Sequence, residues 1–141
     1  MATPKINGRR GAFQLLFGSA YIAISASYVL TPDAGGRTST LGWINPYVPL
    51  EYLGMAWGFA GVVAVVSCVL PRPRDRYAFM ALTLVPILWG FLYLIGWFVG
   101  DAPTGYMGTI VYGLMAGAVM VVSGMSGDRD RDHRQIVGVI S

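Results

Sequence analysis

Four apolar stretches, residues 12–30, 52–70, 77–99 and 105–123, contain no Asp, Glu, Lys, Arg or His, and they constrain the fold more than anything else in the chain. Together they take up more than half of its 141 residues. At about 1.5 Å rise per residue, each reaches across a hydrocarbon core about 30 Å thick. No water pairs with the backbone in that layer, so a run of this kind satisfies its own N–H and C=O groups as a helix. The sequence therefore predicts an all-α membrane protein of four antiparallel transmembrane helices. Residues 1–126 form the transmembrane domain and residues 127–141 a charged cytoplasmic tail. Only 12% of the residues are charged, against about 25% in a soluble domain. Residues 58–70 are apolar all round, as a lipid-immersed helix is.

Charge sets the orientation. Lys5, Arg9 and Arg10 precede the first run, Arg72, Arg74 and Arg76 separate the second from the third, and Arg129, Arg131 and Arg134 follow the fourth. Arg37, in the first-to-second connection, stands alone on the other side. The positive-inside rule puts the three clusters in the cytoplasm, with both termini inside. The basic start followed by an apolar run also resembles a signal peptide, with Ser25, Ala26 and Ser27 as small residues for cleavage. A signal peptide's apolar region is about 7–15 residues, so this longer run reads as a first transmembrane helix.

Residues 31–51 form the one long connection. It opens with turn residues and then becomes rich in aromatics and proline. Trp43, Tyr47 and Tyr52 suit headgroup depth, where an apolar ring with a polar edge is best accommodated. Pro71 and Pro73 are expected to end the second helix, with the neighbouring arginines against anionic headgroups. The third-to-fourth turn is short and pairs those two spans. Asp101 is positioned to cap the fourth helix, with Pro103 tolerated in its first turn.

Small residues recur every four positions on three of the runs. The first carries Ser19, Ala23 and Ser27; the second Gly54 and Gly58; the fourth Gly105, Thr109, Gly113 and Gly117. Such strips let helix backbones approach closely in lipid, either within one bundle or between copies. The third run is bulky, with Phe79, Trp89, Phe91, Tyr93, Trp97 and Phe98, and reads as a kinked, lipid-facing helix, with a hinge or gate as the alternative. Pro86 near its middle leaves the Leu82 carbonyl without its helical donor, with the Thr83 hydroxyl positioned to ease the kink.

No catalytic constellation is visible. His133 lies in the charged tail and Cys68 at a helix end, neither with partners at metal-ligand or nucleophile–base spacing. Enzyme activity, a cofactor and a metal are not expected, and nucleic acid is not an expected partner. Ion-coupled transport needs charged groups inside the spans, which are missing. The expected partners are the lipid bilayer and a homo-oligomer or larger membrane complex.

Four spans with both termini inside, a short basic start, arginine-bearing turns and an Arg/Asp-rich tail together resemble the small four-helix membrane proteins of actinobacteriophages. The preference for arginine over lysine suits a high-GC genome. Some of those proteins are encoded beside endolysins and treated as holin-like lysis proteins. The resemblance implies a bacteriophage protein of the bacterial cytoplasmic membrane, acting in host cell lysis. It would oligomerise there and permeabilise or depolarise the membrane, with Ser19, Ser27, Gly105 and Thr109 lining water. The alternatives are an accessory subunit docked to a larger complex and a prophage superinfection-exclusion protein.

Overall fold

The computed structural model describes residues 8–31, 37–70, 76–99 and 102–124, and the backbone of the last helix on to residue 140. Five helices follow one another: α1 (Gly8–Leu30), α2 (Arg37–Leu41), α3 (Leu50–Ser67), α4 (Arg76–Val99) and α5 (Gly105–Ile140). No strand occurs among the described residues. α1, α3, α4 and the Gly105–Gly124 part of α5 are each long and apolar enough to cross a membrane. The chain is a multi-pass membrane protein.

The helix ends differ from the apolar runs in ways the backbone explains. α1 starts at Gly8, ahead of the run at residue 12, because Arg9 and Arg10 are good helix formers. Gly8 itself turns the chain in with φ +56°, a conformation that strains any residue with a side chain. α3 stops at Ser67, short of residue 70, and the Cys68 N–H closes the last turn onto the carbonyls of Ala64 and Val65. Leu70 precedes a proline, which disfavours helical backbone there. α5 continues as helix to Ile140, where the sequence predicts a poorly ordered tail after about Gly127; no proline interrupts it.

Packing follows seams in steps of three and four residues. On α1 the buried positions are Gly11, Gln14, Gly18, Tyr21 and Tyr28. On α3 they include Gly54, Trp57, Gly61 and Ala64. This spacing keeps one stripe of each helix facing its neighbour. Without a hydrophobic drive between helices in lipid, the fit of bulky groups onto small ones holds the pair. Gly18 meets Gly61, Ser25 meets Gly58, and the Tyr28 ring meets Gly54. At the first of these the backbones all but touch: a methyl on Gly61 would lie 2.6 Å from the Gly18 carbonyl oxygen, and one on Gly18 2.8 Å from that of Gly61.

α5 rests chiefly on α4 through a second set of seats. Thr109 meets Gly90, the Tyr93 ring meets Gly108, and Trp97 meets Gly105. α4 is the central helix, touching α1, α2, α3 and α5. The lipid-facing reading of its bulky run is therefore corrected. Phe79, Leu82, Pro86, Trp89 and Leu92 point inward, whereas Phe91, Trp97 and Phe98 face outward. A helix that is apolar all round hides which side is core, and only the three-and-four spacing of Leu82, Pro86, Trp89, Tyr93 and Gly96 separates the two.

Candidate functional site

The middle of the bundle is filled with aromatic rings from all four spans. Tyr21 meets the Trp57 ring edge-on at 4.6 Å between centroids, Trp57 meets Trp89 at 5.2 Å, and Tyr28 meets Trp89 at 6.3 Å. Tyr112 of α5 joins through Trp57 at 5.8 Å and Tyr93 at 5.3 Å. Edge-to-face pairs of this kind contribute about 0.5–1.5 kcal/mol each beyond area burial. Their polar atoms find partners across helices. The Trp89 indole N–H donates to the Tyr28 hydroxyl at 3.0 Å. The Tyr21 hydroxyl donates to the Leu82 carbonyl at 2.8 Å, the acceptor left open by Pro86. The Thr83 hydroxyl, which the sequence nominates for that task, donates instead to the Phe79 carbonyl. The Trp57 indole N–H is buried without a hydrogen-bond acceptor, enclosed by the surrounding rings.

At one end of the bundle Arg37 binds the terminus of α1. Its guanidinium donates to the Ser27 carbonyl at 3.0 Å and the Ser27 hydroxyl at 2.7 Å, and stacks over the Tyr28 ring at 4.1 Å. The Ser27 carbonyl also accepts from the Thr31 N–H and hydroxyl, and the partial negative charge at the end of a helix favours a cation there. That accounts for the one basic residue standing apart from the others. α2 and the following turn fold onto the end of α4, where Thr40 and Trp43 crowd Gly96. Trp43 is thus half-buried within the protein, while Tyr47 and Tyr52 are 83% and 63% exposed, free to meet headgroups.

The small-residue strips divide between inside and outside. Gly54 and Gly58 lie in the α1–α3 seam. Gly105 seats Trp97, and the Thr109 hydroxyl lies 3.2 Å from both the Gly90 and Gly105 carbonyls. These four are occupied by internal packing. Ser19 and Ala23 are exposed, and Ser27 is engaged by Arg37. Among the described residues, nothing comes within 4 Å of where a side chain would begin on Gly113 or Gly117. Beside Gly113 an apolar groove of about 180 Å³ runs between α4 and α5, bounded by Pro86, Gly90, Phe91, Leu94 and Thr109. α5 is also the least enclosed of the spans.

No protein-family model matches this chain, and no curated protein or solved structure matches it either.

Among the described residues, no group of His, Cys, Asp and Glu is placed to hold a metal ion. Cys68 is a buried free thiol, and Glu51 is exposed at the start of α3. Arg9 and Arg76 are exposed at the other end of the bundle, with Arg10 half-buried beside them. Lys5, Arg72, Arg74 and Asp101 lie outside the described residues, as do the side chains of Arg129, Arg131, His133 and Arg134. Sequence reasoning missed Gly18, Gly61, Gly96 and Gly108, which seat neighbouring segments closely. They fall on steps that alternate between three and four residues, which a strip in steps of four alone passes over.

Proposed function

We propose that the protein acts as a holin-like lysis protein: copies accumulate in the bacterial cytoplasmic membrane, associate through the outer face of α5, and permeabilise or depolarise it. The observation that carries this reading is the open space at Gly113 and Gly117, which none of the described residues fills. A flat strip of this kind lets a second helix approach closely, and each such contact adds on the order of 1 kcal/mol in lipid. The adjoining apolar groove and the exposed Ser19 and Ala23 extend the association surface around the bundle.

The interior argues against conduction through a single copy. The buried polar side chains among the described residues are Gln14 and Ser67 towards one end and Thr40 at the other, with aromatic rings between. Ions would therefore pass between copies, where lipid contact is exchanged for protein contact and Ser19 with the edges of α5 faces the water. Gly105 and Thr109, tied to α4, contribute little to such a lining. An antiparallel bundle with both termini in the cytoplasm fits this role. Its support is the falling register of the α1–α3 and α4–α5 contacts, together with the nine basic residues grouped on one side.

The test is co-expression with a cytoplasmic endolysin in a bacterium. The proposal expects abrupt lysis after a delay set by accumulation, and no lysis from either protein alone at early times. Tolerated high-level expression without lysis, with the protein folded in the membrane, would favour an accessory subunit instead.

A further inference from the structure

The four spans divide into two closely fitted pairs. α1 packs on α3, and α4 on α5, far more extensively than either pair meets the other. Within each pair glycines bring backbone against backbone. Besides the Gly18–Gly61 crossing, a methyl on Gly105 would lie 2.8 Å from the Tyr93 carbonyl oxygen. Fits of this kind cannot slide without a clash of backbone. Between the pairs, three contacts follow one another along α4 in steps of seven residues. The Leu82 carbonyl accepts from Tyr21, the Trp89 indole donates to Tyr28, and Gly96 receives α2 and its following turn. These rest on side chains or on a surface turn, which rearrange where packed helix backbones do not.

The last of the three acts as a strap. α2 and the turn after it belong to the connection between α1 and α3, yet they cross onto the end of α4. Arg37 ties the start of the strap to the end of α1 through Ser27. Thr40 and Leu41 are buried, and a methyl on Gly96 would lie 2.6 Å from the Thr40 carbonyl oxygen and 2.9 Å from the Trp43 indole nitrogen. The closed arrangement leaves donors unmet. The indole nitrogens of Trp43, in the strap, and Trp57, between the pairs, are buried with no acceptor among the described residues. A buried donor without a partner opposes closure, and an indole lifted at the end of a span finds water or headgroup oxygens. We propose that residues 37–48 form a releasable strap: when it lifts from Gly96, the α1–α3 and α4–α5 pairs part at that end as rigid units, hinged at the Tyr21–Leu82 contact. The parting breaks the Tyr28–Trp89 hydrogen bond and leaves Tyr21–Leu82 and the Phe13–Phe79 stack in place. The cleft therefore ends partway and makes no passage through a single copy. It is a property of the fold and does not depend on the lysis reading.

The test measures distances between paired spin labels by pulsed electron resonance, on the full chain in lipid nanodiscs with Cys68 replaced by alanine. Cysteines are placed two at a time at exposed positions: Tyr52 with Val99 across the pairs at the strap end, Val66 with Met80 across the pairs at the hinge end, and Val29 with Tyr52 within one pair. With an otherwise wild-type strap, the 52–99 pair should show two separations, the longer one the minor, while the other two pairs each show one. G96V drives a side chain into the strap, and W43A removes the ring that seats it. Each should raise the longer 52–99 fraction at least threefold and leave the 66–80 and 29–52 separations unchanged. The wild-type strap decides the matter if both variants fail to fold. A single narrow 52–99 separation there, an unchanged distribution in a folded G96V or W43A, or equal widening at all three pairs would each overturn the proposal.

Discussion

The Tyr21 hydroxyl on α1 supplies the Leu82 carbonyl on α4 with the hydrogen bond that Pro86 denies it. The donor comes from another helix, 61 residues away in sequence, and the pair is buried at the centre of the bundle. A carbonyl left open in hydrocarbon has no water to turn to, so a proline inside a spanning helix needs a donor from its neighbours. Here the hydrogen bond that replaces the missing donor is also a contact between helices. Tyr21 also packs edge-on against Trp57, which ties the arrangement to α3.

Removing only that hydroxyl gives the first prediction. Tyr21→Phe should destabilise the folded protein by about 1 kcal/mol, the scale of a buried hydrogen bond between membrane helices. In a Pro86→Ala background, where the helix regains its own donor, the same change should cost distinctly less. Reversible unfolding in detergent micelles measures both, as a double-mutant cycle. Equal costs in the two backgrounds would show that the hydroxyl does not serve the Leu82 carbonyl.

The Gly18–Gly61 crossing should tolerate added bulk poorly. A methyl on either glycine meets the other's carbonyl oxygen, so backbone must shift and no side chain can give way. Gly61→Ala should cost about 1–3 kcal/mol, in the range of overpacked cores. Gly113→Ala, with open space around it, should leave monomer stability within about 0.5 kcal/mol of wild type. Thermal unfolding of the two variants side by side provides the check.

Arg37 should act locally. Arg37→Gln removes the cation from the last turn of α1 and the stacking over Tyr28, with an expected loss of about 1 kcal/mol. Hydrogen exchange should rise at residues 27–31 while the α1–α3 seam around Gly18 stays protected. Uniformly raised exchange along α1 would mean that Arg37 supports the whole helix.

Much of this architecture can be read from the residues alone, because hydrocarbon leaves the backbone few choices. Four charge-free runs announce four long helices, and the structure has them within a few residues at each end, save that α5 runs on as helix to Ile140. Prolines and glycines marked the connections for the same reason. The inward face of each helix was harder to read. In a soluble helix polar residues mark the outside, but here Phe79 and Phe91 look alike in sequence and face opposite ways. Steps of four found Gly54, Gly58, Gly105 and Thr109, which seat neighbouring helices. They also gathered Ser19 and Ala23, which face outward, and passed over Gly18 and Gly61. Nor does local spacing reveal that Tyr21 serves the carbonyl left open by Pro86, since that depends on how two distant helices lie side by side.

Membrane potential during induction tests the central claim most directly, with wild type and G113L/G117L compared at matched membrane levels by a potential-sensitive dye. Neither glycine is used inside the bundle, so the variant should fold, and crosslinking should report fewer oligomers. The account predicts an abrupt loss of potential in wild type once a threshold level is reached, and a delayed or absent loss in the variant. A wild-type membrane that stays polarised through high-level induction, or a variant that collapses it at the same level, would contradict the account.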